Sequence, residues 1–210
     1  MKSESVIKYY VLNNKLKNII RQGWKNWNVN RDRVESVAEH IYGTTALALA
    51  MYSEYEYELD IYKVIMMLCV HELEEIIIGD LTAWDIDRKE KEKIGHDAIK
   101  KILSELNIGN DIENLILEFD KRESKEAIFA YHIDKLECDI QCKLYDEENC
   151  VDLTNQDKNE VSIKDKRVQQ LLSENMSWSE MWLEYDKSKY EDDNNFLEVL
   201  EYIKNNNILL

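Results

Sequence analysis

Apolar residues recur at helical spacing along most of the chain. Between Val6 and Ile20 they fall at Val6, Tyr9, Tyr10, Leu12, Leu16, Ile19 and Ile20, which predicts a first helix. Arg21 to Glu35 breaks the period. It is polar, holds Gly23 and reads as an ordered loop in which Trp24 and Trp27 either pack or line a pocket. Ser36-Val37-Ala38-Glu39 has the form of a capping box, with Ser36 accepting from the Glu39 N–H and Glu39 reaching back; a helix follows to about Glu54. Asp60 can cap the next helix, Ile61 to Ile78, and Gly79 suits its end. Met66, Met67, Leu68, Cys69 and Val70 make that helix apolar nearly all round, so it is expected to be central.

Lys89 to Leu106 predicts a charged amphipathic helix, Ile112 to Phe119 a short one and Ser124 to Tyr145 a longer one. Cys150 to Ser162 is polar and aperiodic, a surface loop. Ser177-Trp178-Ser179-Glu180 is a second capping box, and a last helix runs from about Asn195 to Asn205. No stretch reads as a strand, and no Gly-rich phosphate loop appears. The pattern predicts an all-α fold of roughly six or seven helices.

Composition narrows the classes of function. A formal net charge of -16 would repel nucleic-acid backbones and anionic membranes, so neither is an expected partner, and an anionic substrate needs a local cationic site. Cys69, Cys138, Cys142 and Cys150 show no zinc-type pairing; Cys138 and Cys142 share a helical face and read as core thiols. The N-terminus has no apolar signal core and no run reaches membrane-spanning length, so a cytoplasmic protein is expected.

Within the apolar helical patterns four ionisable groups stand out: His40, His71 with Glu72, and Asp134. Buried groups of this kind are costly unless paired or bound to a metal. Two imidazoles and two carboxylates suit one divalent ion such as Mn²⁺, Co²⁺, Fe²⁺ or Zn²⁺. Spacing alone leaves two readings open, a converging site and scattered core residues with local partners. His96 among charges and His132, which points largely away from Asp134, lack ligand spacing, which favours one ion over two.

The order His40, His71-Glu72, Asp134 resembles the H…HD…D signature of the HD-domain metal-dependent phosphohydrolases. RQGW at 21–24, ESVAEH at 35–40, HELEEIIIGDLT at 71–82 and KEAIFAYHIDKLE at 125–137 are similar to the subgroup of bacterial 5′-deoxynucleotidases and their eukaryotic HD-domain-containing relatives. The match covers about residues 15–145. It implies a single HD-type helical domain over 1–210 with a central metal pocket, the C-terminal helices 163–210 packing on the motif-bearing core. One departure stands at Glu72, where the family has aspartate. Glutamate keeps the carboxylate and adds roughly 1.5 Å of reach.

The resemblance implies a 5′-nucleotidase acting on (deoxy)nucleoside 5′-monophosphates through a metal-activated water. His40, His71, Glu72 and Asp134 would hold the metal. Glu75 would manage the proton, and Asp80 would contact the sugar or help with the water. Arg21 would hold the phosphate, an assignment suited to a bidentate guanidinium, and Trp24 would wall the sugar or base. Glu74 is left as a solvent-facing neighbour. Pairing as a homodimer is a further implication of the resemblance alone. The alternatives are another HD phosphohydrolase or phosphodiesterase, and a diverged metal- or nucleotide-binding module without turnover, which the Glu72 departure motivates.

Overall fold

The computed structural model describes residues 1–209. The elements are α1 (Lys2–Asn13), a 3-10 turn (Asn14–Asn18), α2 (Gln22–Asn26), α3 (Val37–Glu54), α4 (Ile61–Val70), α5 (Glu75–Ile78), α6 (Arg88–Leu103), α7 (Gly109–Lys121) and α8 (Lys125–Glu147). After a loop come α9 (Val161–Lys164), α10 (Lys166–Ser173), α11 (Trp178–Asp186) and α12 (Asn194–Asn205). The fold is all-α. Among the described residues the only β contact is an isolated antiparallel bridge between Ile20 and Ser36.

Local signals account for most boundaries. Ser36 Oγ accepts from the Glu39 N–H at 3.3 Å while Glu39 Oε2 accepts from the Ser36 N–H at 2.9 Å, so the capping box starts α3. Asp60 Oδ1 accepts from the N–H groups of Tyr62 and Lys63 and starts α4. Ser177 and Glu180 form the second capping box and start α11. The loop expected over 21–35 contains the short helix α2, and α9 begins at the end of the loop expected over 150–162.

The helix expected over Ile61–Ile78 is broken. It stops at Val70, and 71–74 wind as turns with i→i+3 bonds: Leu73 N–H to Val70 O, then Glu75 N–H to Glu72 O. The backbone resumes as α5 for four residues and ends at Gly79, whose φ of 76° lies in the left-handed region that glycine tolerates. Nor is α4 enclosed all round. Tyr62, Met66 and Cys69, spaced along one face, are exposed, because only its other faces meet α3 and α7.

The chain divides into two compact units interleaved in sequence. The first comprises 1–22 and 35–131, the second 23–34 and 132–210. In the first, Leu16, Val37, Val70, Leu73, Ile76, Ile99, Ile102 and Ile116 form the core, joining the 3-10 turn, α3, α4, α5, α6 and α7. Burying each such aliphatic side chain contributes roughly 1.5–3 kcal/mol. α1 buries no residue completely and lies against this core through half-buried Tyr9 and Leu12, leaving Val6, Ile7, Tyr10 and Val11 exposed. In the second unit the core is aromatic: Trp24, Trp27, Tyr145 and Trp178, with Val168, Leu171 and Met181. No helix among the described residues is long and apolar enough to cross a membrane.

Candidate metal centre

The first unit gathers its polar residues where three segments meet. Arg21 N–H donates to Glu35 O at 3.1 Å and Val37 N–H donates to Ile19 O at 2.8 Å. These bonds flank the Ile20–Ser36 bridge and pin Arg21 beside the first turn of α3. His40 follows one turn into α3 and is fully buried. His71 stands at the C-terminal end of α4, and its ring centroid lies 5.4 Å from that of His40. The tight turn after Val70 then keeps Glu72 on the same side.

His71 Nδ1 lies 2.8 Å from Leu68 O. A carbonyl can only accept, so Nδ1 carries the proton and Nε2 presents its lone pair, the tautomer that ligates a metal. That Nε2 lies 3.7 Å from Glu72 Oε1, and His40 Nε2 lies 3.9 Å from the same oxygen. Two atoms each about 2.1 Å from one ion are at most about 4.2 Å apart, so these three donors fit a shared divalent cation. His40, His71 and Glu72 are all buried. Glu72 Oε1 also accepts from Arg21 Nη1 at 3.1 Å.

Around this group the field is strongly negative. The Glu75 side chain is buried, and among the described residues neither of its carboxyl oxygens has a hydrogen-bond partner. Burial, then the neighbouring Glu72 and Asp80, push its carboxyl well above the usual range, with Arg21 opposing. Glu74 is pushed up to about 8, first by burial and then by Glu72. It is therefore not the solvent-facing neighbour expected of it. A Cβ on Gly95 of α6 would meet Glu74 Cγ at 3.3 Å, so the glycine is what lets α6 close over this side chain. Carboxylates collected in this way favour a cation among them.

Two cationic side chains face the carboxylates. Arg21 Nε lies 3.9 Å from Asp80 Oδ2, and the Gln22 N–H donates to the same oxygen at 2.7 Å. Gly79 turns the chain so that Asp80 reaches this position. The other cation is Lys91 of α6, which sequence reasoning missed. Its Nζ donates to Leu81 O at 2.8 Å and lies 3.8 Å from Glu75 Oε1. Burial alone would lower the Lys91 ammonium, but Glu72, Glu75, Glu74 and Asp80 outweigh it and raise it. Nothing in the charge run RKEKEK distinguishes this lysine from its neighbours; only the packing of α6 turns it inward.

In the second unit, Asp134 lies on α8 just beyond the boundary, is buried, and has Oδ2 2.8 Å from Lys135 Nζ. Trp24 is buried in the aromatic core, edge-on to Tyr145 at 5.3 Å and to Trp178 at 6.0 Å between ring centroids. Both contacts lie within the aromatic core of the second unit. His132 packs edge-on against Tyr190 and Phe196, and in the first unit His96 Nε2 pairs with Asp120 at 2.8 Å.

An all-helical frame with buried imidazoles and carboxylates beside an arginine suits a metal-dependent enzyme. The chain belongs to the HD-domain family, whose model matches residues 13–176. It is 30% identical to the 5′-deoxynucleotidase HDDC2 of Dictyostelium discoideum over 150 residues, 68% of this chain and 78% of that protein. To the 5′-deoxynucleotidase HDDC2 of Homo sapiens it is 28% identical, over 69% of this chain and 70% of that one. Among solved structures it resembles a conserved hypothetical protein from Pyrococcus furiosus, with a TM-score of 0.69 and 27% identity over 94% of this chain and 98% of that one. It shares its fold with a chain described as a predicted metal-dependent phosphohydrolase from Magnetospirillum magnetotacticum MS-1, at a TM-score of 0.59 and 21% identity over 94% of each.

Proposed function

We propose that this protein is a metal-dependent 5′-nucleotidase that hydrolyses (deoxy)nucleoside 5′-monophosphates to nucleoside and inorganic phosphate. The observation that carries the reading is the convergence of His40 Nε2, His71 Nε2 and Glu72 Oε1 beside Arg21, in a chain similar to 5′-deoxynucleotidases. Asp134 is the fourth ligand in this reading. It is buried, it completes the motif order after His71-Glu72, and α8 carries it on without a break from residues of the first unit. The family match likewise runs through both units, in keeping with one HD-type domain over 1–210.

When bound, the divalent ion (Mn²⁺, Co²⁺, Fe²⁺ or Zn²⁺) supplies Lewis acidity at the phosphoryl oxygen and makes a water nucleophilic near neutral pH. The side chains do the rest. Arg21 receives the phosphate and offsets a protein-wide charge that would otherwise repel it. Glu75, buried beside Glu72 and with its pKa raised by that burial, takes the proton of the attacking water. Asp80, held by the Gln22 N–H, orients Arg21 and faces the sugar side of the phosphate. Trp24 walls the sugar or base in this reading. A cytoplasmic setting suits the four free thiols.

Protein loaded with Mn²⁺ or Co²⁺ is expected to release phosphate from deoxynucleoside 5′-monophosphates, and Glu75→Gln to slow that release by roughly 10²–10⁴-fold. Absence of release from every such monophosphate, with metal shown to be bound, overturns the reading. Activity gained only on Glu72→Asp would instead identify a binding module that has lost turnover.

A further inference from the structure

One oxygen of Glu72 serves two partners that the proposed chemistry would use separately. Oε1 accepts from Arg21 Nη1 at 3.1 Å, and it is also the oxygen that faces His40 Nε2 at 3.9 Å and His71 Nε2 at 3.7 Å. Arg21 and Glu72 are both nearly buried, with side-chain exposures of 13% and 11%, so their contact is poorly screened by water. Asp80 stands as the second anion beside Arg21, but its Oδ2 is 3.9 Å from Nε and already accepts from the Gln22 N–H. Of these two carboxylates, Glu72 makes the shorter contact with the guanidinium.

We infer that Glu72 couples phosphate binding to metal binding by exchanging partners. Without phosphate, Arg21 draws the carboxylate and competes with a cation for it. When a phosphate occupies the guanidinium, the carboxylate turns wholly to the imidazole side, and the cation is held more tightly. By thermodynamic reciprocity, bound metal strengthens phosphate binding by the same factor. The extra methylene of glutamate suits the exchange, because it adds roughly 1.5 Å of reach toward both the two histidines and Arg21. The substitution at 72 is then a device that orders ligand binding rather than a decayed ligand. The inference rests on the reading of His40, His71 and Glu72 as metal ligands and of Arg21 as the phosphate anchor.

The test is a double-mutant cycle read by calorimetric titration of Mn²⁺ into metal-stripped protein, with folding checked by circular dichroism. Arg21→Met is expected to tighten Mn²⁺ binding about tenfold in the natural chain, because the carboxylate is released. In the Glu72→Asp chain the same change is expected to tighten it less than about threefold, the remainder being loss of a nearby positive charge. Arg21→Gln serves as a second variant if Arg21→Met does not fold. Inorganic phosphate is expected to raise Mn²⁺ affinity more in the natural chain than in Glu72→Asp. If Mn²⁺ binds but the Arg21 effect is equal in both backgrounds, the coupling is overturned and the metal site stands. If none of the proteins binds Mn²⁺, the site reading fails and the coupling with it.

Discussion

Glu74 offers the sharpest quantitative check on the polar cluster. Its carboxyl is buried against Gly95 of α6 and titrates at about 8 instead of 4.5. A carboxyl that holds its proton more tightly folded than unfolded adds most to stability below its unfolded pKa, and that contribution is lost as pH rises toward the folded value. At roughly 1.4 kcal/mol per pH unit, the interval from 4.5 to about 8 amounts to a ceiling of about 5 kcal/mol. The metal-stripped protein should therefore lose several kcal/mol of stability between pH 5 and pH 8 in urea unfolding. Glu74→Gln, neutral throughout, should lose much less and should be the more stable protein at pH 8. A residual slope is expected from Glu75, whose carboxyl is raised in the same direction. If the natural protein is equally stable at both pH values, or the variant loses as much as the natural protein, the burial argument is refuted.

Other substitutions test separate parts of the molecule. Ser36→Ala removes the cap that starts α3 and should cost about 1 kcal/mol in urea unfolding. Trp178→Ala, at the centre of the aromatic core of the second unit, should cost about 3–5 kcal/mol and lower the thermal midpoint. Tyr190→Phe removes the 2.7 Å hydrogen bond to buried Asp139 and should cost about 1–3 kcal/mol by the same assay. Burial, then Asp186, raise the Asp139 carboxyl against that bond, so the Tyr190→Phe loss should grow as rising pH ionises the carboxyl.

Much of this protein is legible along the chain, because the signals involved are short in range. Helical period, the capping boxes at Ser36 and Ser177, and the cap at Asp60 depend on residues within a few positions, and each appears where the spacing places it. The family is legible too, in the order of His40, His71-Glu72 and Asp134 with their flanking residues, and the family match over 13–176 bears it out. The sequence also marks Glu72 as a departure, since the difference is one of residue identity.

What only tertiary structure decides is which side chains share space. The apolar run from Ile61 predicts one helix, but the chain turns at His71, because the polar cluster and the i→i+3 winding there outweigh helix propensity. Glu74 is a surface residue by pattern and a buried acid by contact, since α6 closes over it at Gly95. Lys91 is one charge among many in RKEKEK until the packing of α6 sets it beside Glu75. The meeting of Arg21 with Glu72, 51 positions apart, is written nowhere in the local pattern. Periodicity reports the local backbone, whereas pKa values and ion pairing depend on distances through space, which the chain acquires only when its helices pack.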